Sequence, residues 1–125
     1  MKRISEAESQ VMQALWARGP MTPEGLKAEL AAAHAWAEPT IKTLISRLQK
    51  KGALRSERAA GRTTYVPLLT REAYLTAESR SLLDRLFDGQ LAPLVSHFAT
   101  QRELTAEDRA RLRRLLAALD QDADD

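Results

Sequence analysis

The chain contains no cysteine among its 125 residues. Disulfides, zinc–cysteine clusters, iron–sulfur centres and thiol catalysis are thereby excluded. Its two histidines, His34 and His97, are too few for a histidine-rich metal site. Neither has a partner at metal-ligand spacing, so no metal is expected, and His34 reads as a polar turn residue. Apolar runs of membrane-spanning length are missing, and the opening MKRISEAESQ lacks the apolar core of a secretion signal. These absences predict a cytoplasmic chain without membrane insertion. There is no glycine-rich phosphate loop, no paired-carboxylate spacing and no nucleophile–histidine arrangement, Ser96-His97 being mere neighbours in sequence. No catalytic residues and no cofactor are expected. Internal repeats and low-complexity stretches are absent too.

What is present is a globular composition, 44% apolar and 29% charged, with a length that suits one small domain carrying a helical tail. The formal charge of +2 hides an asymmetry. Residues 1–70 hold eleven Lys and Arg against six acids, whereas 71–125 hold eight Arg against eleven acids. Seven of the eleven front-half cations lie between Lys42 and Arg62. A basic front and an acidic back fit a polyanion-binding module joined to a protein-binding one, although a charged helix face is more often merely solvated.

The first predicted helix opens on a capping box, Ser5 with Glu8 three residues on. Ala7, Val11, Ala14 and Leu15 recur at helical spacing, Met12 and Trp16 widen the stripe, and Gly19-Pro20 ends it. Thr22-Pro23 begins a second helix with Leu26, Leu30 and Ala33 on its buried face. Residues His34 to Ala37 connect it to the next, and Trp36 is expected to anchor that connection. A third helix runs from Glu38-Pro39-Thr40 to Gly52, with Ile41, Leu44, Ile45 and Leu48 as its apolar stripe. Pro39, Thr43, Ser46 and Lys50 point away from that stripe, and Thr40, Lys42 and Arg47 flank it. Alternation in 53–57 and 63–68 about the glycine-containing stretch 58–62 predicts a β-hairpin with Arg58 and Arg62 at its tip. Pro67 marks the end of the second strand or a sheet edge.

The back half reads as helix throughout. Thr70 to about Asp88 carries Leu75, Leu82, Leu83, Leu86 and Phe87, closed by Gly89. Leu91 to Ala99 forms a shorter helix with Leu94. A last helix, capped by Thr105, runs to about Asp120 with Leu112, Leu115, Leu116 and Leu119 on one stripe, and a frayed acidic end is expected after it.

Three helices followed by a hairpin within about 65 residues is the order of a winged helix-turn-helix. The fold class expected is mainly α with a small β-hairpin: a winged-helix DNA-binding domain over 1–70 and a helical dimerisation domain over 71–125. In such a module the third helix enters the major groove, where short hydroxyls let the backbone approach and cations meet phosphates and guanines. The same basic helix would serve a protein-docking adaptor that recognises no DNA sequence, and charge alone does not separate the two. Three amphipathic tail helices exceed what a 65-residue head can cover, so burial against a second copy is expected over an intramolecular bundle.

At these residues the sequence resembles a known family, the penicillinase repressors of BlaI/MecI type, which include the copper-responsive CopY-like repressors. The resemblance rests on Ile4-Ser5-Glu6-Ala7-Glu8, Val11-Met12 and Leu15-Trp16. It rests also on Thr40-Ile41-Lys42-Thr43-Leu44-Ile45-Ser46-Arg47-Leu48 with Lys51-Gly52, and on Tyr65 with Pro67-Leu68. It implies a homodimeric repressor on inverted-repeat operators in double-stranded DNA. Carried over by position, Thr40, Lys42, Thr43, Ser46, Arg47 and Lys50 form the reading helix, with Arg62, Thr64 and Tyr65 on the wing. Arg47 has an equal alternative as a salt-bridge partner within the head. The tail apolar residues named above would form the dimer seam. The resemblance further implies a membrane sensor-protease as partner and cleavage at an Asn-Phe bond, whose counterpart is His97-Phe98, with the Asn replaced. Copper-responsive members use a C-terminal cysteine motif that this chain lacks, and Glu38-Pro39 departs from the usual residues before the reading Thr.

Overall fold

A computed structural model describes residues 2–124. Six helices and one hairpin follow in order: α1 Glu6–Arg18, α2 Pro23–His34, α3 Glu38–Lys50, β1 Leu54–Ala59, β2 Arg62–Pro67, α4 Arg71–Leu86, α5 Leu91–Thr100 and α6 Ala106–Asp124. They form two compact units, the first ending at Thr76 and the second beginning at Ala77. The fold is mainly α with a two-stranded antiparallel hairpin, as expected.

Local chemistry sets the helix starts. Ser5 Oγ accepts the Glu8 N–H at 3.1 Å while Glu8 Oε1 accepts the Ser5 N–H at 2.6 Å, which completes the capping box of α1. Thr22 Oγ1 accepts the Gly25 N–H at 3.1 Å, and Pro23 begins α2. Helix α3 starts without such help: Ala37 occupies the cap position and offers no side-chain acceptor.

One apolar core organises the first unit. Ile4, Val11, Met12 and Leu15 meet Leu26 and Leu30 of α2, then Ile41, Leu44, Ile45 and Leu48 of α3, with Ala53 and Leu54 at the hairpin root. All four members of the α3 stripe are buried. Ala33, expected on the buried face of α2, is exposed instead; α2 needs only Leu26 and Leu30 to seat it, and Ala33 falls past the edge of that contact. Trp16 and Trp36 are half-buried and pack against the core rather than filling it. The Trp36 ring stacks on His34 at 4.3 Å between centroids, so His34 is part of the anchor.

The hairpin turns on two residues. Ala60 at φ 52° and Gly61 at φ 76° both lie in the left-handed region, which a two-residue loop between twisted strands requires. Register pairs Ala59 with Arg62 and Leu54 with Pro67, so the second strand ends at the proline. At the root, the Leu68 and Leu69 N–H groups both donate to Ala53 O at 2.8 and 3.0 Å. The Trp16 indole N–H donates to Leu69 O at 2.8 Å. Its ring lies 5.4 Å from that of Tyr74, in the first turns of α4. This aromatic clamp is why the first unit extends to Thr76, six residues beyond the expected boundary at 70.

The second unit is thinly covered. No residue of α4 or α5 is buried, and among the described side chains of α6 none is either. Leu82, Leu83, Phe87, Leu94 and Leu112 are half-buried, whereas Leu75, Leu86, Leu91, Leu115, Leu116 and Leu119 stand exposed. Leu94, Val95, Phe98, Leu104, Leu112 and Leu115 line an apolar groove between α5 and α6. Helix α6 continues through Asp124 rather than fraying after Asp120; residues 121–124 contain no glycine or proline to stop it.

Candidate nucleic-acid interface

Burying Ile41, Leu44, Ile45 and Leu48 leaves the opposite side of α3 facing water. Thr40, Lys42, Thr43, Ser46, Arg47 and Lys50 are all exposed on one helix, so all six expected reading residues share an accessible surface. They differ in how free they are. Thr43 Oγ1 donates back to Pro39 O at 2.9 Å, so its hydroxyl is engaged by the helix backbone. Lys42 Nζ stands 3.5 Å from Glu38 Oε1, and Lys27 Nζ of α2 stands 3.1 Å from the same oxygen. The Lys27 hydrogen bond and charge, with a smaller share from Lys42, hold the Glu38 carboxyl below its ordinary range.

Arg47 and Lys50 have no ion-pair partner among the described residues. Of the two open readings for Arg47, the salt bridge within the head is therefore not formed. Both side chains instead border a cleft of about 570 Å³, shared with Lys2, Ser5, Glu8 and Lys51. Neither Lys2 nor Lys51 is among the expected reading residues. Lys51 is committed to Glu8 at 2.5 Å, which leaves Lys2, Arg47 and Lys50 as the free cations at the C-terminal end of α3. Nothing in helical periodicity signals Lys2, because it precedes α1 and reaches α3 only through the fold.

The hairpin divides its expected residues. Arg62 and Thr64 lie on one face of β2, together with Arg55 and Glu57 of β1, whose side chains pair at 3.6 Å. Tyr65 alternates to the other face, the one that also carries the buried Leu54. Its backbone is pinned to Met21, Tyr65 N–H donating to Met21 O at 2.7 Å and Met21 N–H to Tyr65 O at 3.3 Å. Tyr65 thus belongs to the root of the wing and not to its tip. Arg58 and Arg62 flank the turn on opposite faces, both exposed. Gln49 Nε2 donates to Ser56 Oγ at 3.0 Å and ties the wing to α3.

Comparison with known proteins places this arrangement. The sequence pattern of the penicillinase repressor family matches residues 4–118. This chain belongs to the penicillinase repressor family. Its relatives include the penicillinase repressor of Bacillus licheniformis, 31% identical over 91% of this chain and 89% of that one. The methicillin resistance regulatory protein MecI of Mammaliicoccus sciuri is 26% identical over 90% of this chain and 92% of its own length. In three dimensions, the DNA-binding domain of the repressor BlaI is similar over 58% of this chain and 88% of that domain, with TM-score 0.52 and 32% identity. This member of the penicillinase repressor family is a transcriptional repressor and not an enzyme. Its head is a winged helix-turn-helix, with α1, α2 and α3 followed by the hairpin.

Among the described residues, no helix is long and apolar enough to cross a membrane. Among the same residues, no group of three or more His, Asp or Glu is placed to hold a metal.

Proposed function

We propose that the protein represses transcription as a homodimer whose two α3 helices enter successive major grooves of an inverted-repeat operator. The observation that carries this reading is the outer face of α3: six exposed hydroxyl and cationic residues, with Arg47 and Lys50 unpaired. Similarity to the DNA-binding domain of BlaI supports it. In this role Thr40, Thr43 and Ser46 let the helix backbone approach base edges, Lys42 and Arg47 reach guanines or phosphates, and Lys50 neutralises the backbone. Arg62 and Thr64 extend the contact along the wing, while Tyr65 holds the wing at its angle. The exposed leucines of α4, α5 and α6 support the dimer, since a soluble surface seldom leaves so many large apolar side chains uncovered. The domain division follows, with 1–76 reading DNA and 77–125 joining the copies.

Induction by proteolysis at His97–Phe98 needs an extra step. The bond lies inside α5, the His97 carbonyl accepts the Gln101 N–H at 3.1 Å, and the Phe98 carbonyl accepts the Glu103 N–H at 3.0 Å. Proteases prefer exposed loops, so a sensor-protease acting here must first unwind α5.

The test is an electrophoretic shift with duplex DNA from the promoter next to the protein's own gene, repeated across a salt series. Binding is expected to weaken steeply with salt, because each phosphate contact releases counterions. The variant lacking Lys42, Arg47 and Lys50 together is expected to lose the shift. Retention of full affinity by that triple variant overturns the proposal.

A further inference from the structure

Helix α6 carries its charges in the wrong order for a helix standing alone. Arg109, Arg111, Arg113 and Arg114 crowd its first half, Asp120 and Asp122 follow towards its end, and its last turn holds no cation. The helix dipole favours the reverse order, cations at the C-terminus and acids at the N-terminus, which only Glu107 and Asp108 satisfy. None of these four arginines and two aspartates has an ion-pair partner among the described residues. On the same helix Leu115, Leu116 and Leu119 are 60%, 60% and 64% exposed. An open apolar stripe thus lies between charges that the chain itself leaves unpaired.

The placement of those charges is regular. At about 100° per residue, Arg113 and Asp120 fall roughly 20° apart on one flank of the leucine stripe. Arg111 and Asp122 fall roughly 20° apart on the other. Each flank therefore holds a cation near the helix start and an anion near its end.

We infer that α6 packs antiparallel against α6 of a second copy of this chain, about a two-fold axis passing between Leu116 and Ala117. An antiparallel pair of this symmetry presents the same flank of each helix to its mate. Arg113 then meets the partner's Asp120, and Arg111 meets the partner's Asp122. Both pairs are centred on the same point of the helix, and each occurs twice by symmetry. The leucines on either side of that point close the seam between them. A parallel pair would set arginines on arginines and aspartates on aspartates, so the charge pattern selects orientation, register and a like chain. The inference rests on the dimer proposed above and adds how its halves recognise each other.

The chain's lack of cysteine makes cross-linking a clean test. Under mild oxidation, a mixture of the Arg113→Cys and Asp120→Cys full-length chains is expected to form a disulfide-linked dimer. Arg113→Cys alone is expected to form none, because its two copies would lie about 10 Å apart along the seam. In sedimentation, Arg111→Glu with Arg113→Glu is expected to weaken the dimer by more than about tenfold. Adding Asp120→Arg and Asp122→Arg to the same chain is expected to restore it to within about threefold. Self-cross-linking of Arg113→Cys, or charge reversals without effect in a chain that still dimerises, overturns the antiparallel seam alone. A monomeric unaltered chain overturns the dimer and the seam together.

Discussion

Lys51 Nζ lies 2.5 Å from Glu8 Oε1, joining the end of α3 to the first turn of α1 across 43 positions of sequence. Lys51 also donates to Arg3 O at 3.1 Å, so one ammonium closes the corner where the free cations Lys2, Arg47 and Lys50 gather. Glu8 is 1% exposed, and its second oxygen, Oε2, has no hydrogen-bond partner among the described residues. Burial pushes this carboxyl up, but the Lys51 hydrogen bond, the Ser5 backbone and hydroxyl, and the Lys51 charge together carry it below the ordinary 4.5.

A depressed carboxyl stabilises the fold above its unfolded value and ceases to do so as pH falls through the folded one. Thermal melts of the head are therefore expected to be flat near neutrality and to fall below about pH 4.5, and Glu8→Gln is expected to reduce that fall. Lys51→Met leaves the carboxylate buried without its counter-charge and is expected to cost about 2 kcal/mol in urea unfolding at pH 7. Unchanged stability in Lys51→Met would show that the ion pair does not hold the corner together.

Glu38 sits at the start of the proposed reading helix and restrains two lysines, Lys27 and Lys42. Glu38→Gln releases both and removes a negative charge beside a polyanion. Duplex affinity at about 0.1 M salt is expected to rise roughly threefold, with a steeper salt slope. A loss of affinity would instead mean that the carboxylate itself touches a base, as an acceptor for a cytosine amine does.

Ala60 holds φ 52° in a turn whose other central residue is Gly61. A side chain there pays a steric cost that glycine avoids. Ala60→Gly is expected to stabilise the head by about 0.5 kcal/mol, read as a shift of the urea midpoint. Ala60→Val is expected to destabilise it. The reverse ranking would mean that the wing takes another turn in solution.

Leu86 is 62% exposed near the end of α4, and Leu83 is half-buried beside it. Leu86→Glu changes an accessible position without opening the head core, so the first unit is expected to keep its melting temperature. Sedimentation is expected to give a monomer, and affinity for a two-half-site operator to fall by at least about tenfold through lost avidity. A dimer that persists would exclude Leu86 from the seam.

Much of the head could be read before any coordinates. The capping box at Ser5, the Thr22-Pro23 start and the α3 stripe depend on neighbours within about four positions, and the structure has each where expected. The hairpin is also present, but its strands run to Ala59 and from Arg62, so its turn is two residues and not the expected stretch 58–62. The tail was less legible. The end of α6 extended past the expected fray because a capless acidic run still propagates helix, and the unit boundary moved to Thr76 because Tyr74 reaches Trp16. The candidate site split along the same line. Six positions on α3 follow from one periodicity, whereas the nearness of Lys2 to Arg47 and Lys50, and the backbone tie of Tyr65 to Met21, arise only through contacts distant in the chain.

Residue order alone settled the helices, their starts and the charged outer face of α3, since those properties arise from short-range hydrogen bonding and angular spacing. Folding decided which cations are free. Lys42, Arg47, Lys50 and Lys51 look equivalent in a string of letters, yet Glu38 and Glu8 take the first and last of them while the middle two remain unpaired. That choice depends on which carboxylate the packed core brings within a few ångströms, and an ion pair's strength falls with distance in space, not in sequence.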